Sequence, residues 1–126
     1  MLRRFTSIWR AMFPLSSEQL LQRLVEAEGA RGLKGFRILI RELRERGEAV
    51  YRVDYEAEED DGGIVRARDV FDGAALRQTL RAAEGDIPSD FERVLERRVR
   101  ERVDAVRCRL GERGVVVEVN DDTVGP

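Results

Sequence analysis

The sequence contains no histidine, a single cysteine and no long apolar run, and each of these absences excludes a kind of protein. Without histidine, the chain lacks the commonest general base of enzymes and the commonest zinc ligand. Cys108 alone cannot form an intrachain disulfide, so a reducing compartment fits and we expect the cytoplasm. No apolar stretch approaches the roughly 18 residues of a membrane-spanning helix. We therefore predict a non-enzymatic chain with no catalytic residue, no metal site and no cofactor.

The composition suits one charged domain. The 126 residues are enough to bury a core, and the charged fraction of 38% predicts an extensively solvated surface. The net charge of −2 conceals an asymmetry, because residues 1–46 carry ten Lys or Arg against five Glu, whereas residues 47–126 carry thirteen Arg against twenty acids. This distribution is typical of a chain with two different partner surfaces or with one that is self-complementary.

The segment from Leu33 to Gly47 has the spacing of an amphipathic helix. Its large apolar residues recur at steps of three and four, which predicts one buried helical face: Leu33, Phe36, Leu39, Ile40 and Leu43. Cations with the same period form a basic stripe on another face, which Arg31 of the preceding loop extends: Lys34, Arg37, Arg41 and Arg44. Gly47 is placed as a C′ residue would be, after a last turn rich in arginine.

The N-terminal segment, residues 1–13, is amphipathic if helical, and it carries cations but no acid. Its apolar side would consist of Leu2, Phe5, Ile8, Trp9, Met12 and Phe13. The plainest interpretation is a helix that packs on the core of its own domain. A helix that docks on a membrane surface or on a partner protein also fits, because those surfaces select cationic and aromatic residues at helical spacing. A cleaved targeting peptide is the third interpretation.

Further elements follow from local signals. Ser16 and Gln19 form a capping box that begins a second helix. The segments 49–58 and 64–70 alternate apolar and charged residues, which predicts a β-hairpin in which Arg52 and Arg66 or Arg68 face acids across the pair. The acidic turn between them, residues 58–63, is interpreted as a solvated hairpin tip rather than as a cation site.

The C-terminal half is predicted to hold two helices and a strand. Asp72 is the expected N-cap of a short helix, and a capping box of Ser89 and Glu92 begins the longest helix, which ends at Leu110 before Gly111. The segment 115–119 is apolar enough for a largely buried strand.

These elements define the predicted fold class, which is α+β with the order ααα-ββ-αα-β. We expect a small three-stranded antiparallel or mixed sheet, made of the hairpin and the C-terminal strand and packed by four to five helices. The amphipathic helix would span residues 1–13, a single α+β domain residues 14–119, and a loose tail residues 120–126.

The basic stripe and the N-terminal helix are the features most open to function. We predict a protein-interaction module of the adaptor or regulatory kind, in which residues 1–13 dock on a partner protein or a membrane surface and the basic stripe meets an acidic surface. A protein partner is the first expectation, self-association is included, and peripheral membrane contact comes next. The alternative is a winged-helix-like protein that binds nucleic acid through the basic face of helix 33–46. Against it stand the acids of the hairpin tip and the low pI of about 5.4.

Overall fold

The computed structural model describes residues 15–22, 33–59, 62–87 and 89–122. Within these ranges the chain forms three α-helices and four β-strands. In chain order they are α1 (Ser17–Leu21), β1 (Leu33–Glu45), β2 (Glu48–Glu59), β3 (Ile64–Asp72), α2 (Gly73–Glu84), α3 (Phe91–Glu112) and β4 (Val117–Asp121).

The strands form one mixed sheet in the order β3-β2-β1-β4. β1, β2 and β3 are an antiparallel meander, whereas β4 pairs with β1 in parallel and aligns Val117 with Phe36. A parallel pair needs a crossover connection, and α2 and α3 lie in that connection. The result is an α+β domain with two very long central strands.

The structure shows that the predicted helix 33–47 is wrong, because this segment is strand β1 and its turn. Phe36, Ile38 and Ile40 are buried at alternate positions, which is the period of a strand. Arg46 and Gly47 are not a helix end but a two-residue hairpin turn, in which both residues have positive φ. The predicted fold class is therefore wrong in detail: the sheet has four strands rather than three, and the described chain has three helices rather than four to five.

Most of the local signals are confirmed. Ser16 and Gln19 form both hydrogen bonds of the capping box at the start of α1. The hairpin is present as β2 and β3, and the Asp72 carboxylate accepts hydrogen bonds from the first backbone amides of α2. At α3 the prediction is wrong, because the N-cap is Asp90, which makes no side-chain capping bond, and the helix continues through Gly111 to Glu112.

The core lies between one face of the sheet and α3. The sheet contributes buried residues such as Ile38, Ile40 and Val53, and α3 faces them with the apolar stripe Leu95, Val99, Val103, Val106 and Leu110. Burying one such side chain contributes about 1.5–3 kcal/mol, whereas an exposed ion pair contributes about 0–1 kcal/mol. This layer therefore stabilises the fold more than the many surface charges do. Against the prediction, β4 is only partly buried, because it is an edge strand.

A hydrogen-bond network fixes α1 against the free edge of β3. The amide of Arg68 donates to the Leu15 carbonyl at 2.6 Å. The two oxygens of Asp69 accept from the Ser17 amide and from the Tyr55 hydroxyl, each at 2.9 Å. Ser17 and Tyr55 are almost completely buried, so the Asp69 carboxylate satisfies two polar groups that water does not reach.

The two tyrosines of the chain both lie in the core layer, and we expect alkaline pH to unfold the protein as they ionise. Burial and the charge of Glu42 raise the pKa of Tyr51 to about 12, and burial beside Asp69 raises the pKa of Tyr55 further still. Because the unfolded pKa is 10.0, their stabilising contribution is complete below pH 10 and is lost as pH rises toward 12 and beyond. Between its unfolded and its folded pKa, each tyrosine then lowers the free energy of unfolding by roughly 1.4 kcal/mol per pH unit.

Tyrosinate absorbance recorded together with circular dichroism measures this effect. The absorbance should rise only as the helical signal is lost, and Tyr51→Phe or Tyr55→Phe should reduce the pH dependence of the free energy of unfolding. Ionisation of both tyrosines near pH 10 with the helical signal intact would contradict the prediction.

Candidate functional site

The period of a β-strand separates the sheet into a core face and an open face. On the open face, side chains alternate with the buried ones, and the described helices place their core residues on the opposite side. Its middle carries Arg37, Leu39, Arg41 and Leu43 of β1, Arg52, Asp54 and Glu56 of β2, Arg66, Arg68 and Val70 of β3, and Glu118 and Asn120 of β4. Acids lie toward the strand ends: Glu58 at one end, and at the other Glu48, which forms an ion pair of 3.1 Å with Arg77 of α2.

Five arginines from three neighbouring strands form what we call the arginine band: Arg37, Arg41, Arg52, Arg66 and Arg68. A shallow depression of about 600 Å³ lies over this band, and Leu39 and Asn120 also line it. The antiparallel register brings these side chains together, although they are far apart along the chain. The acids among them are Asp54, Glu56 and, on β4, Glu118. The middle of the open face therefore has a surplus of positive charge.

Two acids each lie between two arginines. Asp54 accepts a hydrogen bond from Arg68 Nε at 2.7 Å and lies 3.4 Å from Arg52 Nε. Glu56 lies 3.5 Å from Arg66 Nε and 4.0 Å from Arg37 Nη2. Each group of three has a net charge of +1, so pairing within the face leaves part of the cationic charge uncompensated.

Arg41 and Arg52 are direct neighbours in the register of β1 and β2. Among the described residues, Arg41 has no ion-pair partner, and the buried Nε of Arg52 makes no hydrogen bond. Like charges that face each other across two strands are destabilising. The positive surplus of the open face is therefore concentrated at this pair.

Apolar side chains surround the same pair. Leu39 and Leu43 precede and follow Arg41 on the same face of β1, and Val70 is opposite Arg52 on β3. Val70 is 58% exposed and Leu43 is 37% exposed. The open face therefore offers both cationic and apolar contacts to a partner.

The predicted basic stripe is divided between the two faces. Arg37 and Arg41 lie in the arginine band, whereas Arg44 lies on the opposite face. Lys34 lies at an irregularity in the register of β1 and lines a small depression beside Arg37 and Glu118. Arg44 donates a hydrogen bond to Glu92 at the start of α3 at 3.0 Å, and this bond raises the pKa of Arg44. Arg44 therefore links β1 to the start of α3.

Other predicted site residues lie outside the described ranges. These are Arg31 and the N-terminal set Leu2, Phe5, Ile8, Trp9, Met12 and Phe13. In the described ranges, no helix has an apolar stretch long enough to cross a bilayer. Nor do the described acids and Cys108 form a group of three or more that would hold a metal ion.

The hairpin prediction found part of the arginine band. Arg52 and Arg66 or Arg68 were expected to face acids across the hairpin, and the pairings of Arg68 with Asp54 and of Arg66 with Glu56 are confirmed. For Arg52 the prediction is wrong, because Val70 is opposite it on β3. What the prediction missed is that Arg37 and Arg41 lie in the same sheet. The alternation of Phe36, Ile38 and Ile40 was the signal that would have placed them there.

In comparisons with known proteins, no family model, no curated protein and no solved structure matches the chain. The charge and the shape of the open face are therefore the basis of the proposed function.

Proposed function

We propose that the chain is a non-enzymatic protein-interaction module of the adaptor or regulatory kind, and that its open face binds an acidic partner protein. The observation that carries the proposal is the arginine band, whose five cations exceed the neighbouring acids and are accompanied by exposed apolar side chains. The class of function is the one that the sequence predicts. The contact surface is different, because Arg37 and Arg41 belong to a sheet face and not to a helix.

Charge and apolar contacts both favour binding of an acidic partner to the open face. A surplus of one charge on a surface accelerates encounter with a partner of the opposite charge and disfavours partners of the same charge. Exposed Leu43 and Val70 then add apolar burial once the surfaces meet. Arginine supports both, because its guanidinium pairs with carboxylates while its aliphatic portion packs against apolar atoms.

A protein partner fits this face better than a nucleic acid does. The winged-helix alternative required a recognition helix at residues 33–46, and this segment is β1. Tyr55 is the one aromatic residue among those that line the depression in the described chain, and at 1% exposure it offers no ring on which a base would stack.

Site-specific photo-crosslinking tests the proposal. A benzophenone amino acid at Val70 places the reactive group on the open face, and the same group at Arg97, which is exposed on α3, is the matched control. In an extract of cells that express the chain, we expect a protein adduct from position 70 and none from position 97. Combining the probe with Arg37→Glu and Arg68→Glu, or adding polyglutamate, should lower the yield at least tenfold.

Two results would overturn the proposal. One is the absence of an adduct from position 70, and the other is an adduct that survives both charge reversals and polyglutamate. Thermal melting of the charge-reversed protein must show that it is folded, since the substituted side chains are exposed and outside the core.

A further inference from the structure

We infer that Arg41 and Arg52 together bind one carboxylate of the partner, and that this carboxylate is flanked by apolar residues. The inference rests on the proposed function and specifies its chemistry. It assigns the open face an anchor point, which we call the Arg41–Arg52 clamp, and it defines the segment recognised as an Asp or Glu next to large aliphatic side chains.

The geometry of the pair permits a shared ligand. Arg41 and Arg52 are aligned across antiparallel strands, and the Cβ atoms of such a pair are about 4.5–5.5 Å apart. Both side chains rise from the same face of the sheet. A carboxylate has two oxygens with about four acceptor positions, so it can accept hydrogen bonds from two guanidinium groups at once.

Charge distinguishes this pair from the rest of the arginine band. Arg37 and Arg66 share Glu56, and Arg68 has the short hydrogen bond to Asp54. Arg52 has only the longer contact with Asp54, and its buried Nε makes no hydrogen bond among the described residues. Arg41 has no ion pair in the described part of the chain. A bound carboxylate would thus meet one cation without an ion pair, Arg41, beside Arg52, which shares its acid with Arg68 and keeps a buried Nε without a hydrogen bond.

The surroundings of the clamp select a protein carboxylate over a free anion. Leu39 and Leu43 lie on either side of Arg41, and Val70 lies beside Arg52. These side chains exclude water from the bound carboxylate, which strengthens its attraction to the guanidinium groups. They also give apolar neighbours in the partner a place to pack, which inorganic phosphate or a nucleic-acid backbone would leave unused.

The clamp lowers the stability of the free protein, and this effect can be measured without any partner. In the free protein the two guanidinium groups repel each other, so Arg41→Gln should raise the melting temperature by about 2 °C. A residue that lowers stability when unliganded and is needed for binding behaves as a binding residue and not as a structural one. Arg97→Gln is the control, and no change in melting temperature is expected from it.

Binding is tested by NMR titration of the full chain with a capped pentapeptide, Leu-Glu-Leu-Glu-Leu, and with its Gln counterpart. We expect the Glu peptide to shift the amides of β1 and β2, and the Gln peptide to leave them unchanged. Arg41→Gln and Arg52→Gln should each weaken binding at least tenfold, whereas Arg97→Gln should not. The same variants should reduce the crosslink formed at position 70.

The possible failures are distinguishable. If the Val70 crosslink persists in Arg41→Gln and Arg52→Gln at full yield, the clamp is wrong and the proposed function stands. If inorganic phosphate or duplex DNA shifts the same amides more strongly than the Glu peptide does, the assignment to a protein carboxylate is wrong. If neither peptide binds and no crosslink forms at position 70, both the clamp and the proposed function are wrong.

Discussion

Replacing Asp69 with alanine is expected to lower the free energy of unfolding by about 3 kcal/mol. The carboxylate accepts hydrogen bonds from the Ser17 amide and the Tyr55 hydroxyl, each at 2.9 Å. Both donors are in residues at most 1% exposed, so water cannot replace the lost acceptor. Urea denaturation followed by circular dichroism measures the loss.

A double-mutant cycle separates the two hydrogen bonds. Tyr55→Phe removes the hydroxyl, so Asp69→Ala should cost less in the Tyr55→Phe background than in the wild type. Asp69→Asn keeps one acceptor oxygen and should lie between the wild type and Asp69→Ala. Additive effects would contradict the hydrogen bond between Tyr55 and Asp69. A loss below about 0.5 kcal/mol for Asp69→Ala would show that this carboxylate does not hold α1 on the sheet.

Replacing Gly73 with alanine is expected to cost about 2–4 kcal/mol, although glycine-to-alanine changes in helices usually stabilise. Gly73 is the first residue of α2, directly after β3. A Cβ at this position would lie 2.5 Å from the carbonyl oxygen of Ala49, and it would also touch Leu95 of α3. The carbonyl belongs to a buried residue of β2, so relieving the clash requires a shift of the strand or of the helix start.

Gly111→Ala is the matched control. Gly111 lies in α3, and a Cβ there would meet nothing within 4 Å. This change should raise stability by roughly 0.5–1 kcal/mol. Equal effects of the two substitutions in urea denaturation would contradict the close contact between α2 and β2.

The parts of the fold that were predictable depend on short-range chemistry. A hydroxyl or carboxylate that caps a helix is recognised from a few neighbouring residues, and Ser16 and Asp72 cap helices as predicted. The hairpin of β2 and β3 was also recognisable, because charged and apolar residues alternate from Tyr51 to Ala57 and from Val65 to Arg68.

β1 was mistaken for a helix because both of its faces carry large apolar residues. Leu39 and Leu43 lie on the open face, so the segment fits steps of three and four as well as steps of two. Leucine, arginine and glutamate also have high helix propensity, which tertiary context overrides here. Two neighbouring strands decide the outcome, since β1 pairs with the long strand β2 on one side and with the short strand β4 on the other.

Because β1 was mistaken for a helix, the sequence analysis also failed to group the residues of the arginine band. Arg37 and Arg41 were named from the sequence, but a helical period grouped them with Lys34 and Arg44. The register between strands, which no local pattern supplies, places them instead beside Arg52, Arg66 and Arg68.

The parallel pairing of β1 with β4 has a consequence for biosynthesis. A nascent chain contains the meander β1–β2–β3 long before it contains β4, because α2 and α3 must be translated first. Until then one edge of the longest strand presents unpaired amides and carbonyls outside the ribosome, and such an edge pairs readily with other chains. Emergence of β4 from the ribosome is therefore the step that protects β1, and chaperone binding before that step would favour correct folding.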